Sequence, residues 1–154
     1  MAPVDPLERA FNTAVARGRT IAALKFELEN LQAEHKSTLR EIERSKAAML
    51  PSLKVVYSMC EFDVARDVVD MASSTWYRKL RTVIGRVLRR EMAVPPMTLD
   101  KLSHEYKKAT ALIRHRQKLY RAIQATEAKL SKAEESWQKA NKVYEELMDK
   151  APIT

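Results

Sequence analysis

The sequence predicts an all-α protein, namely a long antiparallel helical hairpin that is coiled-coil-like and has a small helical head between its arms. Two glycines among 154 residues leave few tight turns, and Ala, Leu, Lys, Glu, Arg and Met, which favour helix, dominate the composition. Apolar residues recur at alternating spacings of three and four along two long stretches, as in the seam of a coiled coil. With 45% apolar residues the chain can bury a core, so we predict a single domain over residues 1–154.

The first arm is predicted at residues 5–50. Asp5 suits the N-cap of a helix, and Pro6 suits the first helical position, where its missing N–H costs nothing. Pro51 would remove a hydrogen bond from a helix interior, so we expect the helix to end or kink there. The seam of this arm contains Leu7, Phe11, Ala14, Gly18, Ile21, Leu24, Leu28, Leu31, His35, Thr38, Ile42, Ser45 and Met49.

The second arm is predicted at residues 98–150. Pro95 and Pro96 interrupt the chain before it, and Thr98 can cap the helix that follows. A helix of this length extends over roughly 75 Å. Its seam contains Leu99, Leu102, Tyr106, Ala109, Leu112, Arg116, Leu119, Ile123, Thr126, Leu130, Ala133, Trp137, Ala140, Tyr144 and Leu147.

The two seams complement each other when the arms are antiparallel. Large side chains then meet small ones, as dense packing requires. The predicted pairs are Phe11 with Ala140, Ala14 with Trp137, and Gly18 with Ala133. The alternative is an elongated three-helix bundle in which residues 52–93 pack back along both arms, and the pattern leaves open whether the arms pair within one chain or between two.

Residues 51–97, between the arms, are predicted to form the head from short helices. The stretch Phe62–Ala72 has a broad apolar face that needs cover on more than one side. The "SST" at residues 73–75 offers capping residues for a further helix, in which we interpret Trp76 and Tyr77 as core residues. The apolar stripe of that helix contains Trp76, Leu80, Val83, Ile84, Val87 and Leu88.

The net charge of +8 is concentrated in the middle of the chain. Residues 78–90 contain six basic residues and no acidic one, and residues 101–121 contain seven basic residues and one acidic one. Because a solvated helix face usually mixes both signs, we expect these bases to bind an acidic protein surface or phosphate groups. The predicted binding residues are Arg78, Lys79, Arg81, Arg86, Arg89, Arg90, Lys107, Lys108 and Arg114.

Residues suited to catalysis are scarce in this chain. It contains one cysteine and three histidines (His35, His104 and His115), without a spacing typical of a metal site. Neither a glycine-rich phosphate loop nor a metalloprotease or nucleophile-elbow motif is present in the sequence. We therefore predict a protein that is not an enzyme and that requires neither a metal nor another cofactor.

These observations predict a non-enzymatic structural or adaptor subunit of a larger macromolecular assembly, with other protein subunits as its partners. An alternative is sequence-independent binding of RNA or DNA. A second alternative is binding to the surface of an anionic membrane through an amphipathic helix. The sequence is also compatible with a homo-oligomer.

The expected location of the protein is intracellular, in the cytoplasm, nucleus or an organelle matrix. The lone Cys60 has no partner for an internal disulfide, and we interpret it as a buried, unreactive thiol. The most apolar stretch is interrupted by Pro51 and Lys54 and is shorter than the roughly 20 residues that span a bilayer, so we expect no transmembrane helix. The first residues lack the apolar core of a secretory signal.

Overall fold

The computed structural model describes residues 5–59, 69–89 and 94–151, and within these ranges it contains three α-helices and no strand. The helices are α1 (Pro6–Met59), α2 (Trp76–Leu88) and α3 (Pro96–Lys150). The chain divides into two compact units. Unit 1 comprises Met1–Lys36 and Gln117–Thr154, and unit 2 comprises Ser37–Arg116. The assignment of residues 1–154 to a single domain stays a prediction.

The N-terminus of α1 is capped as the sequence predicts. The side-chain Oδ1 of Asp5 accepts a hydrogen bond of 3.1 Å from the backbone N–H of Leu7. The backbone carbonyl of Asp5 accepts a further bond of 2.9 Å from the N–H of Arg9. The two bonds satisfy donors that the first turn of a helix leaves without partners.

The prediction that the first helix ends at residue 50 is wrong, because α1 continues through Pro51 to Met59. Pro51 is exposed, whereas Leu53 and Val56 beyond it are 1% and 0% exposed. Burying two such side chains gains about 1.5–3 kcal/mol each, which offsets the roughly 3 kcal/mol that proline costs inside a helix. Residues 51–59 therefore belong to α1 and not to separate short helices of the head.

Helix α3 begins at Pro96, two residues before the predicted start, and it ends at Lys150 as predicted. Pro96 takes the first helical position, and the carbonyl of Pro95 accepts a bond of 3.1 Å from the N–H of Leu99. Thr98 therefore lies inside the helix and does not cap it.

In unit 1, α1 and α3 pack in antiparallel orientation. The rings of Phe11 and Tyr144 lie 5.6 Å apart, with 53° between their planes. Further along α1, Gly18 lies against the indole of Trp137. Residue numbers thus rise along one helix as they fall along the other, which establishes the antiparallel orientation.

The predicted register in unit 1 is wrong by one helical turn. Phe11 packs on Tyr144, one turn beyond the predicted Ala140, and Gly18 lies against Trp137, one turn beyond the predicted Ala133. The rule that a large side chain meets a small one holds for Trp137, which lies against Gly18. The indole lies where α1 has no side chain, and the two aromatic rings of the other pair pack against each other.

The seam predicted for each long helix is confirmed by its burial. All thirteen predicted seam residues of α1 are buried or half-buried except Phe11, and all fifteen of α3 are so except Trp137. These two aromatic side chains are 49% and 36% exposed. Periodicity along the chain therefore identifies the packed face of both helices.

Unit 2 contains a core to which all three helices contribute. The stripe predicted for α2 is buried except for Leu88, which is 54% exposed. The predicted all-α class is confirmed for the described residues, and the packing of α1 on α3 is consistent with the predicted helical hairpin, with α2 packed against both long helices in unit 2. The core residues are Ile42, Met49, Leu53 and Val56 of α1, Val69, then Trp76, Leu80, Val83, Ile84 and Val87 of α2, and Leu102, Ala109 and Ile113 of α3.

The residues just before α2 form a turn stabilised by local hydrogen bonds. Thr75 is the N-cap residue, as the "SST" sequence predicts, but its side chain makes no capping bond. Its hydroxyl lies 3.0 Å from the Oγ of Ser73, which also accepts a bond of 3.2 Å from the N–H of Thr75. The Oδ1 of Asp70 accepts a bond of 3.0 Å from the N–H of Ala72.

The helix predicted over Phe62–Ala72 is not present at residues 69–72, which are extended or in a turn. Local bonds from Ser73 and Ala72 to Asp70 satisfy this backbone in place of helical bonds. Val69 is instead joined to α1, since its N–H donates a bond of 2.9 Å to the hydroxyl of Tyr57. Residues 62–68 and Cys60 lie outside the described residues, and the predictions made for them stay predictions.

Candidate anion-binding site

Helices α2 and α3 of unit 2 border a surface depression of about 450 Å³, called here the α2–α3 depression. Along each helix the lining residues recur at intervals of three or four positions, a spacing that places side chains on one helix face. They are Tyr77 and Arg81 of α2, and Tyr106, Lys107, Thr110, Ala111 and Arg114 of α3.

Two tyrosine rings form the floor of the depression and join the two helices. The rings of Tyr77 and Tyr106 are stacked, with centroids 5.8 Å apart and 9° between their planes. The hydroxyl of Tyr77 lies 2.8 Å from the Oγ1 of Thr110, which donates a bond of 2.9 Å to the backbone carbonyl of Tyr106. Because a threonine hydroxyl has one proton, Tyr77 is the donor to Thr110. The floor is thus fixed by hydrogen bonds and ring packing.

The hydroxyl of Tyr106 stays protonated at neutral pH. Burial raises its pKa above the ordinary value of 10.0, and the nearby hydroxyl of Tyr77 acts in the same direction. The Thr110 side chain and the positive charge of Arg81 act in the opposite direction, and the net shift is upward. The floor therefore has no negative charge that would repel an anion.

The charged side chains of the depression are all cationic. Arg81, Lys107 and Arg114 are exposed, and no acidic residue lines the depression. Within the described part of the chain none of the three forms an ion pair, and the salt bridge that is found, of 3.0 Å, joins Lys46 to Glu43 on α1. Three uncompensated positive charges around one concave surface attract anions.

The structure brings three of the nine predicted binding residues together in the depression, namely Arg81, Lys107 and Arg114. The remaining predicted residues do not line the depression. Arg78, Arg89 and Lys108 are exposed elsewhere, Lys79 and Arg86 are half-buried, Arg86 interacts with a neighbour, and Arg90 lies outside the described residues.

Two residues of the depression do not follow from the sequence analysis. Tyr106 is placed there only in the seam, and Thr110 is given no role, although Tyr106, Thr110 and Arg114 follow one another at intervals of four on α3. That spacing was the available signal for a polar strip beside the seam. Trp76 is a core residue as expected, with the Nζ of Lys46 4.6 Å from its ring centroid, whereas Tyr77 is half-buried and lines the site.

The fold and the depression define an all-helical protein with a basic surface site on a tyrosine floor. Comparison with known proteins finds no match, whether to a family model, a curated protein or a solved structure. No helix in the described ranges is both long and apolar enough to cross a membrane. The same ranges contain no group of three His, Cys, Asp or Glu side chains positioned to hold a metal ion.

Proposed function

We propose that this protein is a non-enzymatic structural or adaptor subunit of a larger assembly, and that it binds an acidic surface of a partner protein through the α2–α3 depression. The proposal depends on one observation. Arg81, Lys107 and Arg114 come from two helices and line one depression that no acidic residue shares. Such a concentration of one charge sign favours a partner of the opposite sign.

The chemistry of these side chains suits carboxylates and related anions. The planar guanidinium of an arginine pairs with a carboxylate through two parallel hydrogen bonds. The bond between Tyr77 and Thr110 and the stacked rings hold α2 against α3 before any partner arrives. A site that is ordered in advance loses less conformational entropy on binding.

The nucleic-acid and membrane alternatives have less support from the described residues. The rings of Tyr77 and Tyr106 are stacked on each other, and the ring of Trp76 packs at 79° to that of Tyr77, so the faces that these rings turn to one another are closed to a base. Membrane binding by α2 requires its apolar stripe, and that stripe, apart from Leu88, is buried in the core of unit 2.

The test compares two variants that lose the same charge at different places. In the site variant, Arg81, Lys107 and Arg114 are all replaced by glutamine. In the control variant, the exposed residues Lys129, Lys132 and Lys139 of unit 1 are replaced in the same way. Binding of a labelled ten-residue glutamate peptide, an oligonucleotide of equal charge and anionic vesicles is measured by fluorescence anisotropy or sedimentation at several salt concentrations.

We expect the wild type and the control variant to bind the glutamate peptide, and the site variant to bind it at least about tenfold more weakly with unchanged helicity. A tenfold loss corresponds to about 1.4 kcal/mol, a modest value for removing several charged hydrogen bonds. Equal loss in both variants would show that only net charge matters and would overturn the proposal. Stronger binding to the oligonucleotide, with a steep salt dependence, would favour the nucleic-acid alternative.

A further inference from the structure

We infer that the α2–α3 depression accommodates a phosphorylated side chain of the partner protein. This inference rests on the proposed function, since it names the anionic group on the partner's surface. Three properties of the described residues support it: the size of the depression, the number of its cations and their positions on two helices.

The depression is larger than a single small anion needs. Its volume is about 450 Å³, which corresponds to roughly fifteen water molecules at about 30 Å³ each. A phosphate group together with the side chain that bears it can therefore enter. The rings of Tyr77 and Tyr106 would contact the apolar part of that side chain, while the cations face the phosphate.

The charge of the site matches a phosphate monoester better than a carboxylate or a phosphodiester. Arg81, Lys107 and Arg114 supply three positive charges, and no lining residue is acidic. A phosphorylated serine, threonine or tyrosine carries about −1.5 to −2 at pH 7 and has three strong acceptor oxygens. A single carboxylate or backbone phosphodiester carries one negative charge, so it would leave two of the cations without compensation.

The positions of the cations also suit one multivalent anion. Lys107 and Arg114 lie seven residues apart, which is about 10 Å along a helix, a gap that two long side chains can close toward a common ligand. Arg81 approaches from α2, and its charge is felt at Tyr106 on α3. An anion with three acceptor oxygens can accept hydrogen bonds from both helices at the same time.

The first experiment compares two small dianions by nuclear magnetic resonance titration of the full chain. Phenyl phosphate is the monoester probe, and phthalate, with two carboxylates on a similar ring, is the control of similar charge. We expect phenyl phosphate to bind at least about tenfold more tightly and to shift the backbone signals of Tyr77, Lys107 and Thr110. Arg81→Gln and Arg114→Gln should each weaken its binding, whereas Lys129→Gln should not.

The second experiment uses two acidic peptides that differ at one position, a phosphoserine in one and a glutamate in the other. We expect the phosphorylated peptide to bind at least about tenfold more tightly to the wild type, with that preference lost in Arg81→Gln. Vesicles containing a phosphorylated inositol lipid and a single-stranded oligonucleotide serve as competitors. If either competitor binds more tightly than the phosphorylated peptide, the source of the phosphate is not a protein and the inference is overturned.

The outcomes separate this inference from the proposed function. If phthalate matches phenyl phosphate and the glutamate peptide matches the phosphorylated one, the inference is overturned while docking on an acidic protein stands. If neither peptide binds the wild type, both are overturned. Retention of the phosphate preference when Arg81 and Arg114 are replaced together would show that the preference arises elsewhere on the chain.

Discussion

Trp137 of α3 lies against Gly18 of α1. The Nε1 and Cδ1 atoms of the indole are 3.7 and 3.8 Å from the position that a β-carbon on Gly18 would take. A methyl group at that distance makes an ordinary van der Waals contact, but a longer side chain would have to occupy the volume of the indole. Gly18 therefore makes room for the largest side chain of the unit 1 seam.

Replacing Gly18 separates the effect of helix propensity from the effect of crowding against the indole of Trp137. Gly18→Ala should raise the free energy of unfolding by up to about 1 kcal/mol, because alanine favours helix over glycine by that amount. Gly18→Leu should lower it by about 1–3 kcal/mol, since overpacking displaces the indole. Urea unfolding followed by circular dichroism measures both changes.

Gly85 of α2 provides the matched control, because nothing lies within 4 Å of a β-carbon built on it. Gly85→Ala and Gly85→Leu should therefore both raise the free energy of unfolding, by up to about 1 kcal/mol. If leucine proves as favourable at residue 18 as at residue 85, Trp137 does not pack against Gly18.

The contact between Phe11 and Tyr144 predicts an energetic coupling. Aromatic pairs contribute about 0.5–1.5 kcal/mol beyond their area, so Phe11→Ala and Tyr144→Ala should be non-additive by that amount in a double-mutant cycle. Phe26, which is exposed on α1, is the control partner for Tyr144 and should give additive effects. Coupling of Phe11 to Ala140 in place of Tyr144, measured with Ala140→Gly, would restore the register predicted from the sequence.

The register could not be predicted from the seams because it depends on contacts between distant parts of the chain. A seam follows from the local period of a helix, so the residues from Leu7 to Met49 could be identified as one packed face. Sliding one seam by a turn exchanges apolar contacts for similar ones. The register is then determined by the fit of a few side chains, here the packing of the Phe11 ring on that of Tyr144 and of Trp137 against Gly18.

The candidate site was predictable as a set of basic residues but not as a geometry. The density of bases in residues 78–90 and 101–121 can be read directly from the sequence. Which of them converge depends on how α2 packs on α3, and that packing selected Arg81, Lys107 and Arg114. The hydrogen bond between Tyr77 and Thr110 spans 33 residues, so local patterns contain no information about it.

The raised pKa of Tyr106 predicts a loss of stability at high pH. Because the folded state holds this proton above the ordinary pKa of 10.0, it binds more protons than the unfolded state in alkaline solution. This contribution to stability is complete below about pH 10 and is lost as the pH rises through the folded-state pKa. The free energy of unfolding of the wild type should therefore fall more steeply above about pH 10 than that of Tyr106→Phe.

Urea unfolding at a series of pH values gives both slopes, with tyrosinate absorbance recorded in parallel. Tyr120→Phe, which removes an exposed tyrosine of unit 1, controls for the loss of a phenol elsewhere. Parallel curves for the wild type and Tyr106→Phe would contradict the raised pKa of the half-buried Tyr106 hydroxyl.

The continuation of α1 through Pro51 predicts that this proline destabilises the helix that contains it. Pro51 cannot donate to the carbonyl four residues earlier, at Ala47, and its ring crowds that turn. Because Pro51 is exposed, Pro51→Ala should raise the free energy of unfolding by up to about 3 kcal/mol without altering the core around Leu53 and Val56. Pro96→Ala, at the first position of α3, is the control and should change it by only a few tenths of a kcal/mol. Thermal and urea unfolding measure both variants, and a loss of stability in Pro51→Ala would show that α1 does end near residue 50.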